Sequence, residues 1–501
     1  MALHRSFHLR AASALLAATL CTTAPPAAAQ PPSAPVASSA PVASTAPVAS
    51  SAPVAPTAPV ASTAPVASSP PVASSPPVAP SAPPSVAPSA RSATPEERRA
   101  PAHYRGRENP TTPEEAIAWV PRVVFFPVFV VTEFGLRRPI YKAAEWTDRH
   151  KVVPILDSVF NPTPDISWFP IVSLDLGANS SFGAKLKVRN LLVPGHDIRL
   201  SAETGGEETW RFTLRDRWQL GPHAFVGVRG DLQRTPNRAF FGLGPRSPNV
   251  RTNFQQTRGD AFAFVGLEYG NHLRFELTQG YRGELVEEGF SPSIGAVFDT
   301  QKLPGFGQID LGVTSLDVRV DSRRVREQNS GARVLGNVTY ARDLEVPERS
   351  FVTTEFDVEA ALEVSYPDRV LAVRAYAMET FALGREPVPF SHLAMLGWQN
   401  HHGFIWGRFR GDSALLLEAQ YRYPIAYYVD ALWTASAGNV FGERFRGFDV
   451  GALTSSLGFG LRTRRAGFAP IELIFALGST RFEERFTFDS LRVYFGTTEG
   501  L

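Results

Sequence analysis

The segment "VTTEFDVEAALEV", residues 352–364, sorts its side chains into two kinds with a period of two. The apolar set is Val352, Phe356, Val358, Ala360, Leu362 and Val364. The charged set is Glu355, Asp357, Glu359 and Glu363. Because successive side chains of a β-strand point to opposite faces, this pattern predicts a strand with an apolar medium on one side and a polar medium on the other.

Similar segments recur from residue 166 onward. In "TWRFTLRDRW", residues 209–218, Trp210, Phe212, Leu214 and Trp218 share one parity, which Asp216 interrupts. About sixteen such segments follow one another, many of about ten residues, the length of a tilted strand that crosses a membrane. A soluble sandwich usually has shorter strands. The pattern predicts an all-β fold, an antiparallel transmembrane β-barrel of about 16 strands over residues 166–501.

The N-terminus has the three parts of a secretory signal peptide. "MALHRSFHLR" is basic, "AASALLAATLCTTA" is apolar, and "PPAAAQ" supplies small residues for cleavage near Ala29. Residues 1–29 are therefore predicted to be a signal peptide. Lipoprotein attachment at Cys21 is an alternative, but Leu20 stands where a small residue is wanted. Cys21 is the single cysteine, so its removal excludes disulfides and a thiol nucleophile.

Residues 30–100 are rich in Pro, Ala and Ser. From Ala34 to Ser81 the text repeats every six residues, as in "APVASS" and "APVAST". Small residues with recurrent proline bury too little apolar area to fold, which predicts a disordered linker. It is either a passive tether or a segment that contacts peptidoglycan.

Residues 101–165 have a different character. Thr112 followed by Pro113 is typical of a helix start, and Pro121, Pro127 and Pro139 break any long helix. We predict a short helical segment that is either periplasmic or a plug for the barrel.

Several classes of function are disfavoured. The net charge is +2, too close to zero to indicate a nucleic-acid partner. Sequence motifs of serine hydrolases, zinc proteases and nucleotide-binding loops are absent from the sequence. The acids of residues 352–364 are interpreted as a solvated lumen wall opposite arginine rows such as Arg211, Arg215 and Arg217. We predict no enzyme activity, no cofactor and no metal.

The segment "HHGFIWGRFRGDS", residues 401–413, offers three specific interpretations. Adjacent His401 and His402 suggest a metal, but adjacent side chains usually diverge and further ligands are needed. Arg408 and Arg410 suggest nucleic acid, but they lack rows of basic and stacking residues. Arg410-Gly411-Asp412 matches an adhesion tripeptide that is common by chance.

The C-terminal third shows a family resemblance. "GFIWGRFRGDSALLLEAQYRYPI" is followed by "ALWTASAGNVF", "LGFGLR", "APIELIFALG" and "FTFDSLRVYFG". In this order the segments resemble the last strands of the BamA/TamA-like outer-membrane assembly superfamily, or bacterial surface antigen family. The earlier "FFGLGPRSPN", with Phe241, Gly242 and Gly244, resembles a turn midway through such barrels.

The resemblance implies an extracellular loop that folds into the barrel and carries an arginine at its tip. Here the matching tip is His402, Gly403 and Phe404, followed by Arg408 and Arg410, so a histidine takes the place of the arginine. Its implied acidic partners correspond to Gln420 and Ser436, so all three charges are missing together. The predicted loop anchor faces Glu418, Gln420, Arg422 and Ser436, and His402, Gln420 and Ser436 are expected to form a neutral joint. Either His402 or Arg408 is expected to meet Glu418.

Two departures from the family pattern stand out. Residues 91–165 contain nothing that reads as a periplasmic polypeptide-transport-associated domain. Members commonly end on the aromatic residue of the last strand, whereas here Phe495 is followed by "GTTEGL". The implied closing strand contains Leu491, Val493 and Phe495.

The resemblance implies a protein of the bacterial outer membrane that aids insertion or translocation of proteins or lipids, through a seam between the first and last strands. Outer-membrane lipid and unfolded outer-membrane proteins are its expected partners, with peptidoglycan as a partner of the linker and no nucleic acid. The alternatives are a passive or gated pore for small solutes and a structural protein tethered to the cell wall.

Overall fold

The computed structural model describes residues 134, 138–175, 180–206, 208–323, 330–364, 369–398, 400–426, 429–463 and 471–497. The predicted signal peptide and linker lie outside these residues, as does most of the segment 101–137. The described helices are α1 (Arg138–Arg149) and α2 (Val152–Phe160). No described helix has the length and apolar character needed to cross a membrane.

Sixteen antiparallel strands close into one barrel, which confirms the predicted fold class. Their bounds are β1 (Ile166–Asp175), β2 (Ser181–Arg189), β3 (His196–Thr204), β4 (Trp210–Gln219), β5 (Ala224–Phe240), β6 (Thr252–Tyr269), β7 (Leu273–Glu288), β8 (Gly307–Asp321), β9 (Gly331–Asp343), β10 (Phe351–Glu363), β11 (Val370–Ala382), β14 (Ser413–Ala426), β15 (Val429–Phe441), β16 (Thr454–Thr463), β17 (Ile471–Ser479) and β18 (Phe488–Thr497). Two short strands, β12 (Ala394–Leu396) and β13 (Phe409–Gly411), form a separate hairpin.

The two faces of the strands follow the sequence period. On β10, Phe356 points outward and is 53% exposed, while Asp357 is buried on the inside and accepts two hydrogen bonds from Arg374 of β11, at 2.8 and 3.0 Å. The lumen is therefore polar along the strands and the outside is apolar, as in a transmembrane barrel.

The connections differ in length at the two ends of the barrel. At one end, here called the turn end, residues 270–272 connect β6 to β7. At the other, here called the loop end, residues 289–306 connect β7 to β8 and residues 383–412 connect β11 to β14. In bacterial barrels the short turns face the periplasm and the long loops face the outside.

An apolar core lies inside the barrel at the loop end. It combines strand residues with residues of the long loops, and its members include Phe240, Phe254, Phe262, Phe351, Phe390, Ile294 and Ile309. Interior side chains cannot fill a barrel of sixteen strands. The loops therefore supply the material that fills the lumen at this end.

We expect a charge on the outer face to destabilise the barrel far more than one on the inner face. Val338→Arg places the charge in lipid midway along β9, whereas Asn337→Arg points it at the lumen and Asp317. Urea titrations in lipid vesicles should show a loss of about 2–4 kcal/mol for Val338→Arg. A similar loss for Asn337→Arg would contradict the assigned faces.

Candidate functional site

The loop of residues 383–412 folds into the lumen, and its course is set by the hairpin β12/β13. Leu396 pairs with Phe409 and Ala394 with Gly411. The hairpin packs on the inner face of β14 and β15, in an apolar cluster with Leu416 and Val440. Residues 397–408, here called the loop tip, therefore lie deep in the barrel.

Gly403 and Phe404 seat the loop tip on the last strands. The Gly403 amide donates to Ser456 Oγ of β16 at 2.7 Å, and Ser490 Oγ of β18 donates to the Gly403 carbonyl. A Cβ at Gly403 would lie 2.5 Å from the carbonyl oxygen of Leu477, so only glycine allows this backbone approach. The buried Phe404 ring packs against the backbone at Gly478.

His401 is fully buried and anchors the loop tip through both of its ring nitrogens. Its Nδ1 lies 2.8 Å from Ser436 Oγ and its Nε2 lies 3.1 Å from Thr454 Oγ1. The Thr454 hydroxyl donates to the Gly438 carbonyl, so it accepts from His401, which indicates a neutral ring with its proton on Nε2. Burial lowers the pKa of His401 to about 3, and the adjacent His402 adds to that effect.

His402 points instead at Glu418, with Nε2 3.5 Å from Oε1. Burial acts to lower the pKa of His402, but the hydrogen bond and charge of Glu418 outweigh it, so the pKa is raised. Arg374 of β11 also approaches Glu418, at 3.6 Å, and donates to Asn400 Oδ1 of the loop tip at 2.9 Å. The tip is thus held to β11 and β14 by charged and polar groups.

These contacts extend into a ladder of alternating charges across the lumen wall from β14 to β8. Its successive ion pairs are His402–Glu418, Glu418–Arg374, Arg374–Asp357, Asp357–Arg333, Arg333–Glu359, Glu359–Arg323 and Arg323–Asp321. Each buried charge has opposite charges beside it, which is the condition for keeping it in the barrel wall.

The expected neutral joint of His402, Gln420 and Ser436 differs from the structure. Ser436 bonds to His401, because the two histidines point to different strands. Gln420 and Arg422 face the lumen on β14 beyond Glu418, toward the turn end. Gln420 has no hydrogen bond to the tip among the described residues. His402 meets Glu418, as one of the two alternatives expected.

Arg408 and Arg410 lie on the returning limb of the loop and are buried. Arg408 donates to Ser247 Oγ at 3.0 Å, and Arg410 donates to the Phe390 carbonyl at 3.2 Å. Burial lowers the pKa of Arg408 to about 10 and that of Arg410 to about 9, so both stay charged. Because Arg410 is enclosed, the Arg-Gly-Asp tripeptide is not presented to a receptor.

The turn at Phe241, Gly242 and Gly244 meets this returning limb. The Gly244 amide donates to the Arg410 carbonyl at 2.7 Å, and the Phe241 ring lies 4.9 Å from the Arg408 guanidinium carbon. Two regions that sequence resemblance singled out separately are therefore one contact at the loop end.

The seam between β1 and β18 closes the barrel. Among the described residues these strands pair at Ser173 with Gly496, Leu174 with Phe495 and Asp175 with Tyr494. Arg492 of β18 also bonds to Asp175 of β1.

The loop tip touches the closing strand. The Trp398 ring lies 4.0 Å from the Tyr494 ring, measured between centroids. Leu491, Val493 and Phe495 share the opposite, outward parity of β18, and Leu491 is the most exposed of them. The implied closing-strand residues therefore face lipid, while Ser490, Arg492 and Tyr494 contact the loop tip and β1.

Sequence reasoning considered His401 only as a metal candidate, and it missed Asn400, Arg374 and the hydroxyls of Thr454, Ser456 and Ser490. Parity was an available signal, because Thr454 and Ser456 share the lumen face of β16. The described residues contain no group of three or more His, Cys, Asp or Glu that could hold a metal ion. Both ring nitrogens of His401 are occupied by hydroxyl groups.

The fold and this loop define the class, a closed β-barrel of sixteen strands with a polar lumen, an apolar outer face and a loop folded into the lumen. The chain is similar to the structure of BamA from Haemophilus ducreyi lacking POTRA domains 1–3, with a TM-score of 0.51 and 12% identity over 66% of this chain and 70% of that one. It also matches CdiB from Acinetobacter baumannii, with a TM-score of 0.44 and 11% identity over 67% of this chain and 60% of that one. No protein-family model and no curated protein matches the sequence.

We expect His401→Ala to release the loop tip more than His402→Ala. The first change leaves the Ser436 and Thr454 hydroxyls without their ring partner, which costs about 1–3 kcal/mol in a buried site. The second leaves Glu418 still beside Arg374. The rate of protease cleavage within residues 383–412 of the folded protein measures release, and equal rates for the two variants would contradict the assignment.

The two histidines should respond to pH in opposite directions. The lowered pKa of His401 means that its stabilisation of the anchored tip is complete above about pH 6.5 and declines as the pH falls toward 3. The raised pKa of His402 means that its stabilisation is present below about 6.5 and is lost as the pH rises through the raised value.

In wild type, loop cleavage should become faster as the pH falls below about 6.5, through His401, and as it rises through the raised pKa of His402. His401→Gln should remove the increase at low pH, and His402→Gln should remove the increase at high pH. Cleavage rates are normalised to those of the denatured chain at each pH. A His401→Gln profile with the wild-type acid response would show that His401 does not control release.

Proposed function

We propose that this protein acts in the bacterial outer membrane as a factor that inserts or translocates other polypeptides, through the seam between β1 and β18. The observation that carries the proposal is the bracing of the closing strand from inside, because Ser490 of β18 donates to the Gly403 carbonyl of the loop tip and the Tyr494 ring lies 4.0 Å from the Trp398 ring. When β1 and β18 separate, their edges present free amide and carbonyl groups that can template another strand.

Helix α2 packs on the first strand of the seam. Trp168 and Phe169 are neighbours on opposite faces of β1, and the Phe160 ring of α2 lies 5.2 and 6.2 Å from their rings. The Trp168 indole donates to the Val159 carbonyl at 2.8 Å. The helix therefore lies against the strand that has to separate from β18 for the seam to open.

The inward loop supports the same function. The described part of the loop tip contacts β16, β17 and β18, so it braces the closing strand from inside. The apolar core fills the lumen at the loop end. A filled lumen favours a lateral opening at the seam over an open pore along the barrel axis.

A disulfide across the seam tests the proposal. Leu174→Cys with Phe495→Cys joins directly opposed, lipid-facing positions of β1 and β18. Proteoliposomes with the reduced protein should accelerate folding of a small denatured outer-membrane barrel, read by its shifted migration on a gel. The oxidised variant should lose this acceleration, because the seam cannot open, and reduction should restore it.

The matched control is Leu457→Cys with Leu477→Cys, which joins β16 to β17 on the same face. It should keep the acceleration in both redox states. Client folding that is unchanged by the seam disulfide, or a stable unitary conductance in planar bilayers without any polypeptide, would refute the proposal and favour a pore.

A further inference from the structure

Asp216 is an acid on the membrane-facing surface. It shares the parity of Phe212, which is 52% exposed on the outside of β4. Its neighbours Arg215 and Arg217 point into the lumen and bond to Glu276 at 2.8 Å and Glu268 at 2.9 Å. A charged side chain on the lipid face destabilises a barrel. Asp216 takes part in neither the loop anchor nor the seam, so its presence on this face needs another explanation.

His196 of β3 fixes the Asp216 carboxylate. The His196 Nε2 lies 2.8 Å from Asp216 Oδ1, and the imidazole stacks on the Trp218 ring with 3.9 Å between centroids. His196 is only 1% exposed, and its Nδ1 has no hydrogen-bond partner among the described residues. The side chain of Asp216 remains 17% exposed, so a ligand can reach its second oxygen.

The depth of this pair matches a lipid headgroup. Trp218 is next to the last residue of β4 at the turn end. Aromatic girdles mark the membrane interfaces of such barrels, and the turns face the periplasm. Asp216 is two positions before Trp218 on β4, so it lies slightly deeper in the membrane than the periplasmic interface that Trp218 marks.

An apolar groove lies on the same outer face and extends toward the loop end from Leu214, two positions before Asp216 on β4. Its volume is about 380 Å³. It is lined by small residues of β2, β3 and β5 and by bulky side chains. The small residues are Ala184, Ala202 and Gly230, and the bulky ones include Trp168, Phe212 and Leu232. The small residues form a dent in a face that otherwise carries large side chains.

We propose that this groove and the His196–Asp216 pair bind one phospholipid with an amine-bearing headgroup. The groove is continuous with the lipid-facing surface, so an acyl chain is the occupant available to it. The free oxygen of Asp216 accepts a hydrogen bond from the headgroup ammonium, and charge-assisted bonds of this kind are strong. A net anionic headgroup without an amine would be repelled by the carboxylate.

The site lies on β1 to β5, so the bound lipid would sit beside the seam. It does not depend on the proposed insertion activity, because its evidence is a groove and a polar pair that the seam does not contain. The test of lipid binding and the test of client folding can therefore give independent results.

Native mass spectrometry of the purified full chain tests the site. The protein in detergent is titrated with dioleoyl phosphatidylethanolamine or dioleoyl phosphatidylglycerol, which carry identical acyl chains. Wild type should retain one phosphatidylethanolamine preferentially. Asp216→Asn should lower its retention about tenfold, as expected for loss of a charged hydrogen bond. Ala202→Phe fills the groove and should abolish retention of the lipid.

The controls separate the site from general effects. Asp197→Asn removes a lumen-facing acid at the same end, and Ala419→Phe adds a ring on the lipid face of β14. Both should retain the lipid, and every variant is first shown to migrate as a folded barrel. Because Ala202→Phe could impair folding, a photoreactive acyl-chain analogue should also label peptides within residues 181–219 of wild type. Equal retention of the two lipids, unchanged retention in Asp216→Asn, or labelling elsewhere would overturn the proposal.

Discussion

A closed barrel of sixteen strands has an interior wider than its own side chains can fill. The rest of this structure depends on how that space is occupied. The loop of residues 383–412 enters the lumen as a hairpin. At Gly403 its backbone lies directly against the backbone of β17 at Leu477, with no side chain between the two segments. This one approach brings His401 between Ser436 and Thr454 and Phe404 against β17. Without it the lumen would contain water beside an unsupported closing strand.

The anchoring of the loop combines two kinds of interaction that respond differently to the medium. His401 is neutral and bonded to hydroxyls, which suits a site without water. His402 belongs to a charge ladder that runs through Arg374 and Asp357. Because adjacent residues of the tip point to different strands, His402 connects the loop to β14 and His401 connects it to β15 and β16. The tip is therefore joined to the lumen wall and the closing strand together.

The outer surface has its own organisation around β1. Helix α2 packs on the start of this strand, and β2 to β5 carry the groove and the His196–Asp216 pair. Trp168 belongs to both, since its indole bonds to α2 and its ring lines the groove.

The sequence by itself determined the two-faced strands, their approximate number and the polar lumen, because alternation of residues such as Phe356 and Asp357 is a local property. Resemblance singled out Gly403 and Phe404 as the loop tip, and strand alternation placed Glu418 on the lumen face as an acid for His402 or Arg408. Only the tertiary structure decided that Ser436 meets His401, that Ser456 and Ser490 hold the tip, and that Asp216 has a partner in His196. Those pairs join residues distant in the chain, and their geometry follows from strand register and barrel closure, which no local pattern contains.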